Sequence, residues 1–246
     1  MPIDKQNIPV FLLVGGMGTR LRSVVPNAPK PLATVGDRSF LELLVLQLRA
    51  QGFRRLVMCS GYLADQIENQ FGDGRKHDVS ITYSKELEPL GTAGAVKLAS
   101  IHLQDSAEFL VMNGDSFMEA DLDRLLQFHR GRNAVVTMAA RRVENAARYG
   151  TLQPTAEGQV VAFLEKTGHE TPGIINAGVY IFNHEVLQHI PEGPCSLEKD
   201  VFPRLLNRGV YALEQQGVFI DIGTPEDYAR AQEIFDRLFE AASLRQ

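Results

Sequence analysis

Apolar residues along the 246-residue chain fall into two rhythms. Short β-rich runs, VFLLV, RLVMCS, VSITYS, EFLVMNGD and AVVTMAA, recur through the first half. Segments this short and this apolar read as strands covered on both faces. Between them the apolar positions take a helical period. In SFLELLVLQLRAQG, Phe40, Leu43, Leu44, Leu46 and Leu48 cover a broad helix face, and Gly52 follows as a stop. TAGAVKLASIH and DLDRLLQFHRG behave likewise, the second with Asp121 as N-cap and Gly131 as C-terminal signal. Strand–helix alternation of this kind predicts an α/β fold, a mostly parallel sheet flanked by helices.

From about residue 149 the rhythm changes. YGTLQP, GQVVAFLEK and IINAGVYIF are strands separated by turns, with little helix, and predict an antiparallel addition to the sheet. Helical patterns return at SLEKDVFPRLLNRG and at TPEDYARAQEIFDRLFEAA, with Pro225 at a first-turn position. No repeat, low-complexity run or linker interrupts the chain, so one domain over residues 1–246 is expected. The apolar positions of the C-terminal helix suit either internal packing or a second copy of the chain, which leaves a homo-oligomer open.

Composition narrows the class. Apolar residues make up 44% and charged residues 22%, which is ordinary for a globular protein. A formal charge of −5 gives no support for nucleic-acid or membrane-surface binding, which usually needs a net basic face. Cys59 and Cys195 offer neither a disulfide framework nor zinc spacing. No signal-peptide pattern and no membrane-length apolar run is present, so a cytoplasmic location is expected.

Candidate chemistry begins where the first strand ends. GGMGTRLR follows VFLLV, and ligands of open α/β sheets bind beyond the carboxyl ends of the strands. Gly15, Gly16 and Gly18 let backbone N–H groups approach an anion, and Arg20 adds a charge-assisted donor. The loop is no Walker A motif, and Leu21 stands where a dinucleotide fingerprint needs its third glycine. In APKPL, Pro29 and Pro31 flank Lys30, and the residue before a proline is biased toward an extended conformation. A lysine stiffened in this way suits a substrate phosphate, although a solvated lysine in a proline-rich turn has the same sequence.

GGMGTRL followed by PKPL resembles the signature of the sugar-1-phosphate nucleotidyltransferases, and matching segments continue to residue 228. That family joins a nucleoside triphosphate to a sugar 1-phosphate and releases pyrophosphate. The resemblance implies a Rossmann-like, glycosyltransferase-A-like fold with a small antiparallel sugar-binding portion. It divides the chain into a nucleotide portion (about 1–140), a sugar-phosphate portion (about 141–220) and a closing segment (221–246). It also assigns Gly15, Gly16, Gly18 and Thr19 to the nucleotide, and Arg20 and Lys30 to catalysis.

Phosphoryl transfer needs a cation to offset phosphate charge. Asp115 in FLVMNGDSF follows an apolar strand, and Asp221 in GVFIDIGTPEDY interrupts another apolar run before a helix. Either acid also fits a simple capping role. The family takes one aspartate from each of these segments to bind Mg²⁺, with hard oxygen donors. Asp121, Asp123 and Asp227 lie on expected helices and read as caps or solvated charges. The six histidines show no ligand spacing, and no nucleophile–base pair stands out.

YSKELEPLGTAGAV resembles the family's nucleotide loop, in which Gly91 and Gly94 allow close approach and Thr92 caps a helix and meets ribose or base. Guanine presents two adjacent donors that one carboxylate accepts together, so Glu86 suits a guanine reader, and the segment is similar to the guanylyltransferase branch. RYGTL, FLEKTG and INAGVYIF look like acceptor elements, which assigns Tyr149, Gly150, Glu165, Lys166 and Asn176 to the sugar phosphate. Glu198 and Lys199 read as a solvated helix face. The whole set is most similar to the branch acting on D-glycero-α-D-manno-heptose 1-phosphate with GTP for bacterial surface glycans. Mannose 1-phosphate, another base, or a catalytically silent sugar-nucleotide sensor are the alternatives.

Overall fold

A computed structural model describes residues 4–16, 18–164 and 168–243. In chain order its first strands are β1 (Pro9–Leu13), β2 (Thr34–Val35), β3 (Arg38–Ser39), β4 (Arg55–Ser60), β5 (Ser80–Lys85), β6 (Glu108–Asn113) and β7 (Ser116–Met118). They are followed by β8 (Val136–Val143), β9 (Thr151–Pro154), β10 (Val160–Leu164), β11 (Gly173–Asn183), β12 (Val210–Glu214) and β13 (Phe219–Asp221). The helices are α1 (Phe40–Ala50), α2 (Ala64–Phe71), α3 (Gly91–Ala99), α4 (Leu122–Arg132), α5 (Phe202–Leu205), α6 (Pro225–Glu233) and α7 (Phe235–Ser243).

Nine strands make one sheet. Its main path runs β10-β9-β11-β6-β1-β4-β5, while β8 pairs with β11 and β12 pairs with β8. The nucleotide-side strands β5, β4, β1 and β6 are all parallel. β11 then returns antiparallel to β6, β8 and β9, and β10 lies antiparallel to β9. This is the mixed sheet that the change of rhythm near residue 149 predicts.

Alternation within single strands explains the unbroken apolar runs. Val10 and Leu12 of β1 enter the core beneath α1, α2 and α7, while Phe11 enters the core on the opposite face beneath α3 and α5. Leu56 and Met58 divide from Val57 and Cys59 in the same way, as do Val179 and Ile181 from Tyr180 and Phe182. A strand buried on both faces has no polar positions to alternate with.

Local signals set most helix ends. Ser39 accepts the Glu42 N–H at the start of α1, Asp121 accepts the Arg124 N–H at the start of α4, and Thr224 accepts the Asp227 N–H at the start of α6. Three expectations fail. Gly131 lies inside α4, which stops at Asn133 in the left-handed region (φ 46°). Asparagine tolerates that conformation, so the true stop is two residues later. The C-terminal pattern is two helices, broken at Ile234 (φ −105°, ψ 16°). Around Pro203, likewise, the chain forms a π turn (Leu197–Val201), the short α5 and a 3-10 turn instead of one regular helix. The apolar face of α7 packs against α1, with Leu238 and Ala242 buried, and no helix among the described residues is long and apolar enough to cross a membrane.

The small strands matter most for position. β7 pairs antiparallel with β13, with Ser116 opposite Asp221, and the Ile222 N–H donates to the Asp115 carbonyl. Asp115 and Asp221, 106 residues apart in sequence, are thereby fixed side by side.

Candidate active site

A cleft of about 410 Å³ opens beyond the carboxyl ends of β1, β4 and β6, where open α/β sheets place ligands. Gly15, Gly16, Gly18, Arg20, Lys30 and Asp115 all line it, with Glu86, Gly91 and Thr92 on one side and Gly223 near the other.

Lys30 is its charged centre. Its ammonium lies 2.7 Å from Asp115 Oδ2 and 3.7 Å from Asp221 Oδ1, and only 9% of the side chain is exposed. The 3-10 turn Lys30–Leu32 carries it. Sequence reasoning places Lys30 on an extended segment, but the extended residue is Pro29 (ψ 143°). The Leu32 and Ala33 N–H groups donate back to the Pro29 and Lys30 carbonyls, and these turn bonds override the bias imposed by Pro31. The glycine loop is what lets Lys30 in. Gly18 has φ +55°, and a Cβ there would stand 2.8 Å from the Lys30 Cβ.

Asp115 follows Gly114 in the turn between β6 and β7, and Asp221 closes β13. Asp221 also accepts the Gly223 N–H. Burial, then the charge of Asp115, pushes the Asp221 carboxyl above its ordinary range, and Lys30 opposes that shift. One ammonium shared by two carboxylates leaves the centre a net acid. Among the described residues no group of three or more histidine, cysteine, aspartate or glutamate side chains is placed to hold a metal. Asp115 lines the cleft and Asp221 lies beside it against Lys30, and two such carboxylates fit a hard divalent cation that takes its other ligands from phosphate oxygens and water.

On the nucleotide side, Glu86 is half-buried, and its Oε2 accepts the Leu90 N–H at 2.7 Å. Burial raises its carboxyl's pKa, and that N–H opposes the rise. Its Oε1 lies so close to Gly15 that a Cβ there would approach it to 2.3 Å. Gly16 has nothing within 4 Å of its Cβ direction and faces open space.

The glycines of the second loop serve a different neighbour from the one expected. A Cβ on Gly91 would stand 2.6 Å from the Cys195 carbonyl oxygen, and one on Gly94 2.8 Å from that of Gly193. The Ala93 and Gly94 N–H groups both donate to Cys195, so the close approach is to the chain's own backbone. Thr92 does not cap α3. The N-cap position is Leu90, and the Thr92 hydroxyl donates to Glu198 and accepts the Leu197 N–H. Glu198 is accordingly no solvated charge, for Ser196 donates to the same oxygen.

On the acceptor side, Tyr149 packs edge-on against Phe219 (6.1 Å between centroids), outside the residues lining the cleft. Gly150 is exposed beside the Leu164 carbonyl. Asn176 spends both ends of its amide locally, donating to the Tyr180 hydroxyl and accepting the Gly178 N–H. Glu165, Lys166 and the side chain of Thr19 lie outside the described residues. Sequence reasoning passed over Asn113, which ends β6, lines the cleft and has a buried Oδ1 with no hydrogen-bond partner. Its signal was a polar residue closing an apolar run just before Gly114.

Comparisons with known proteins agree with this geometry. Residues 10–237 match the family model described as nucleotidyl transferase. D-glycero-α-D-manno-heptose 1-phosphate guanylyltransferase of Aneurinibacillus thermoaerophilus is 38% identical over 225 residues, covering 91% of this chain and 96% of that enzyme. Mannose-1-phosphate guanylyltransferase of Mycobacterium tuberculosis is also 38% identical, over 227 residues, but the match spans only 63% of its length. A crystal structure of HddC from Yersinia pseudotuberculosis complexed with GMP-PN superposes with a TM-score of 0.82 at 32% identity, covering 93% of this chain and 99% of that one.

Proposed function

Since the chain belongs to the nucleotidyl transferase family, we propose that it transfers GMP from GTP to D-glycero-α-D-manno-heptose 1-phosphate and releases pyrophosphate. The observation that carries the chemistry is one ammonium, that of Lys30, in contact with two carboxylates at the mouth of a glycine-lined cleft. Such a centre suits a triphosphate, whose charge must be offset in a fixed geometry.

In this reading the amides of Gly15, Gly16 and Gly18 receive the triphosphate, and Arg20 and Lys30 hold its charge. A phosphate oxygen of the acceptor forms a bond to the α-phosphorus as the bond to pyrophosphate breaks opposite it. No covalent intermediate with the protein is needed. Asp115 and Asp221 would hold Mg²⁺, which supplies charge compensation on the phosphates. Lys30 holds the two acids near each other through its contacts with both.

Glu86 supports guanine: with Oε2 tied to the Leu90 N–H, its Oε1 is turned to the glycine loop at the edge of the cleft. The 38% identity to the Aneurinibacillus enzyme supports the heptose as acceptor. Tyr149, Gly150 and Asn176, with Glu165 and Lys166, are assigned to the acceptor side, and Asn113 joins them from the cleft floor.

A pyrophosphate-release screen of the purified protein tests this reading, crossing GTP, UTP, CTP and dTTP with heptose, mannose, glucose and MurNAc 1-phosphates. Turnover with GTP and the heptose is expected to exceed every other pair. Turnover with UTP and not GTP overturns the base, preference for mannose overturns the sugar, and no release with any pair leaves a sugar-nucleotide sensor.

A further inference from the structure

Arg148 stands in the acceptor arm between β8 and β9, and Asp227 in the first turn of α6. Their side chains form an ion pair across 79 residues of chain. The Asp227 oxygen involved also accepts the Thr224 hydroxyl at 2.9 Å, while the Asp227 N–H donates to Thr224 at 3.3 Å. Asp227 is therefore bound to Thr224, the N-cap of a helix that starts just after Asp221 and Gly223.

The neighbouring residue makes a second tie. Tyr149 meets Phe219, the first residue of the strand that ends at Asp221, and the Arg148 guanidinium lies 5.9 Å from the Tyr149 ring centroid. Two consecutive residues of the acceptor arm thus grip both ends of the segment 219–227. The arm is otherwise held on its own side, by the Ala146 N–H bonded to Thr171 and by β9 in the main sheet. Across to the Asp221 segment it makes the Arg148–Asp227 and Tyr149–Phe219 contacts.

Resting on the function proposed above, we propose that Arg148 is a positioning residue: its pairing with Asp227 sets the acceptor arm, Tyr149 and Gly150 included, at a fixed distance from Asp221, so that the sugar phosphate meets the metal-bearing acids in register. An exposed ion pair of this kind contributes little to global stability, so its effect falls on placement.

Three variants of the full chain test it: Arg148→Met, which keeps the stem, Arg148→Lys, which keeps the charge, and Asp227→Asn. Arg148→Met is expected to raise KM for the sugar 1-phosphate about fivefold, the effect of roughly one lost ionic contact, with KM for the nucleotide unchanged. Arg148→Lys should recover part of that loss, and adding Arg148→Met to Asp227→Asn should cost nothing further. In the free protein, whatever its activity, amide exchange in residues 144–150 should speed up about fivefold in Arg148→Met, with α1 unchanged. Unaltered exchange in the arm, or equal rises in both KM values, overturns the proposal. So does a lower acceptor KM in Asp227→Asn, because that would mean a freed Arg148 binds the phosphate itself. Failure of the wild-type protein to release pyrophosphate with any pair would count against the function, while the exchange measurement would still decide the tie.

Discussion

The Asp115 and Asp221 carboxylates, brought together where Ser116 pairs with Asp221, both face the ammonium of Lys30, at 2.7 and 3.7 Å. Neither acid reaches this arrangement through its own sequence neighbours. The two-stranded β7–β13 sheet supplies it, and the proline-framed turn brings the cation to meet it.

Removing that cation should therefore stop catalysis without unfolding the chain. Lys30→Met is expected to lower kcat with GTP and heptose 1-phosphate by about 10²- to 10³-fold, as for one well-placed donor at a charge-building site. Circular dichroism and thermal midpoint should stay near wild type. A kcat within threefold of wild type would remove Lys30 from the charged centre.

Stability and function should oppose each other at Asp221. Its charge is disfavoured by burial and by Asp115, so Asp221→Asn relieves more repulsion than the Lys30 attraction it gives up. The amide oxygen still accepts the Gly223 N–H. Metal-free Asp221→Asn is expected to melt at a higher temperature than the metal-free wild type, and to be inactive. A lower melting temperature contradicts the like-charge account.

Base choice should move with Glu86. In Glu86→Gln the carboxylate proposed to accept two guanine donors becomes an amide with one acceptor. The GTP-to-UTP ratio of kcat/KM is expected to fall at least about tenfold, the worth of one hydrogen bond to a charged group. An unchanged ratio would assign base recognition to backbone groups instead.

A pH dependence of stability is built into a site away from the cleft. His129 is 3% exposed, with Nδ1 2.9 Å from the Thr137 hydroxyl, and burial lowers its pKa to about 4 from 6.5. Above pH 6.5 the ring is neutral in both folded and unfolded chains. As pH falls toward 4 the unfolded chain takes up a proton that the folded one refuses, so stability is lost, by on the order of 3 kcal/mol. Urea unfolding between pH 7 and 4 should show this slope in the wild type and a flatter one in His129→Leu. Equal slopes would contradict it.

Much of this was legible in the sequence because it is local. The five first-half strands, the apolar face of α1 and the Asp121 cap of α4 all follow from period and capping. What escaped was non-local. Nothing near Thr92 says that its hydroxyl is taken by Glu198, 106 residues on, or that Gly94 is small because Gly193 lies against it. Asn113 was hidden for another reason: its neighbours Gly114 and Asp115 carry the stronger chemical signal. Asp227 reads as a cap or a solvated charge, and only the fold joins it to Arg148.

The most direct measurement is pyrophosphate release with GTP and heptose 1-phosphate, followed across a Mg²⁺ titration for wild type, Asp115→Asn and Asp221→Asn side by side. The account predicts Mg²⁺-dependent, saturable turnover in the wild type and a loss of about 10² or more in each variant at every Mg²⁺ concentration. Wild-type rates in either variant would contradict it.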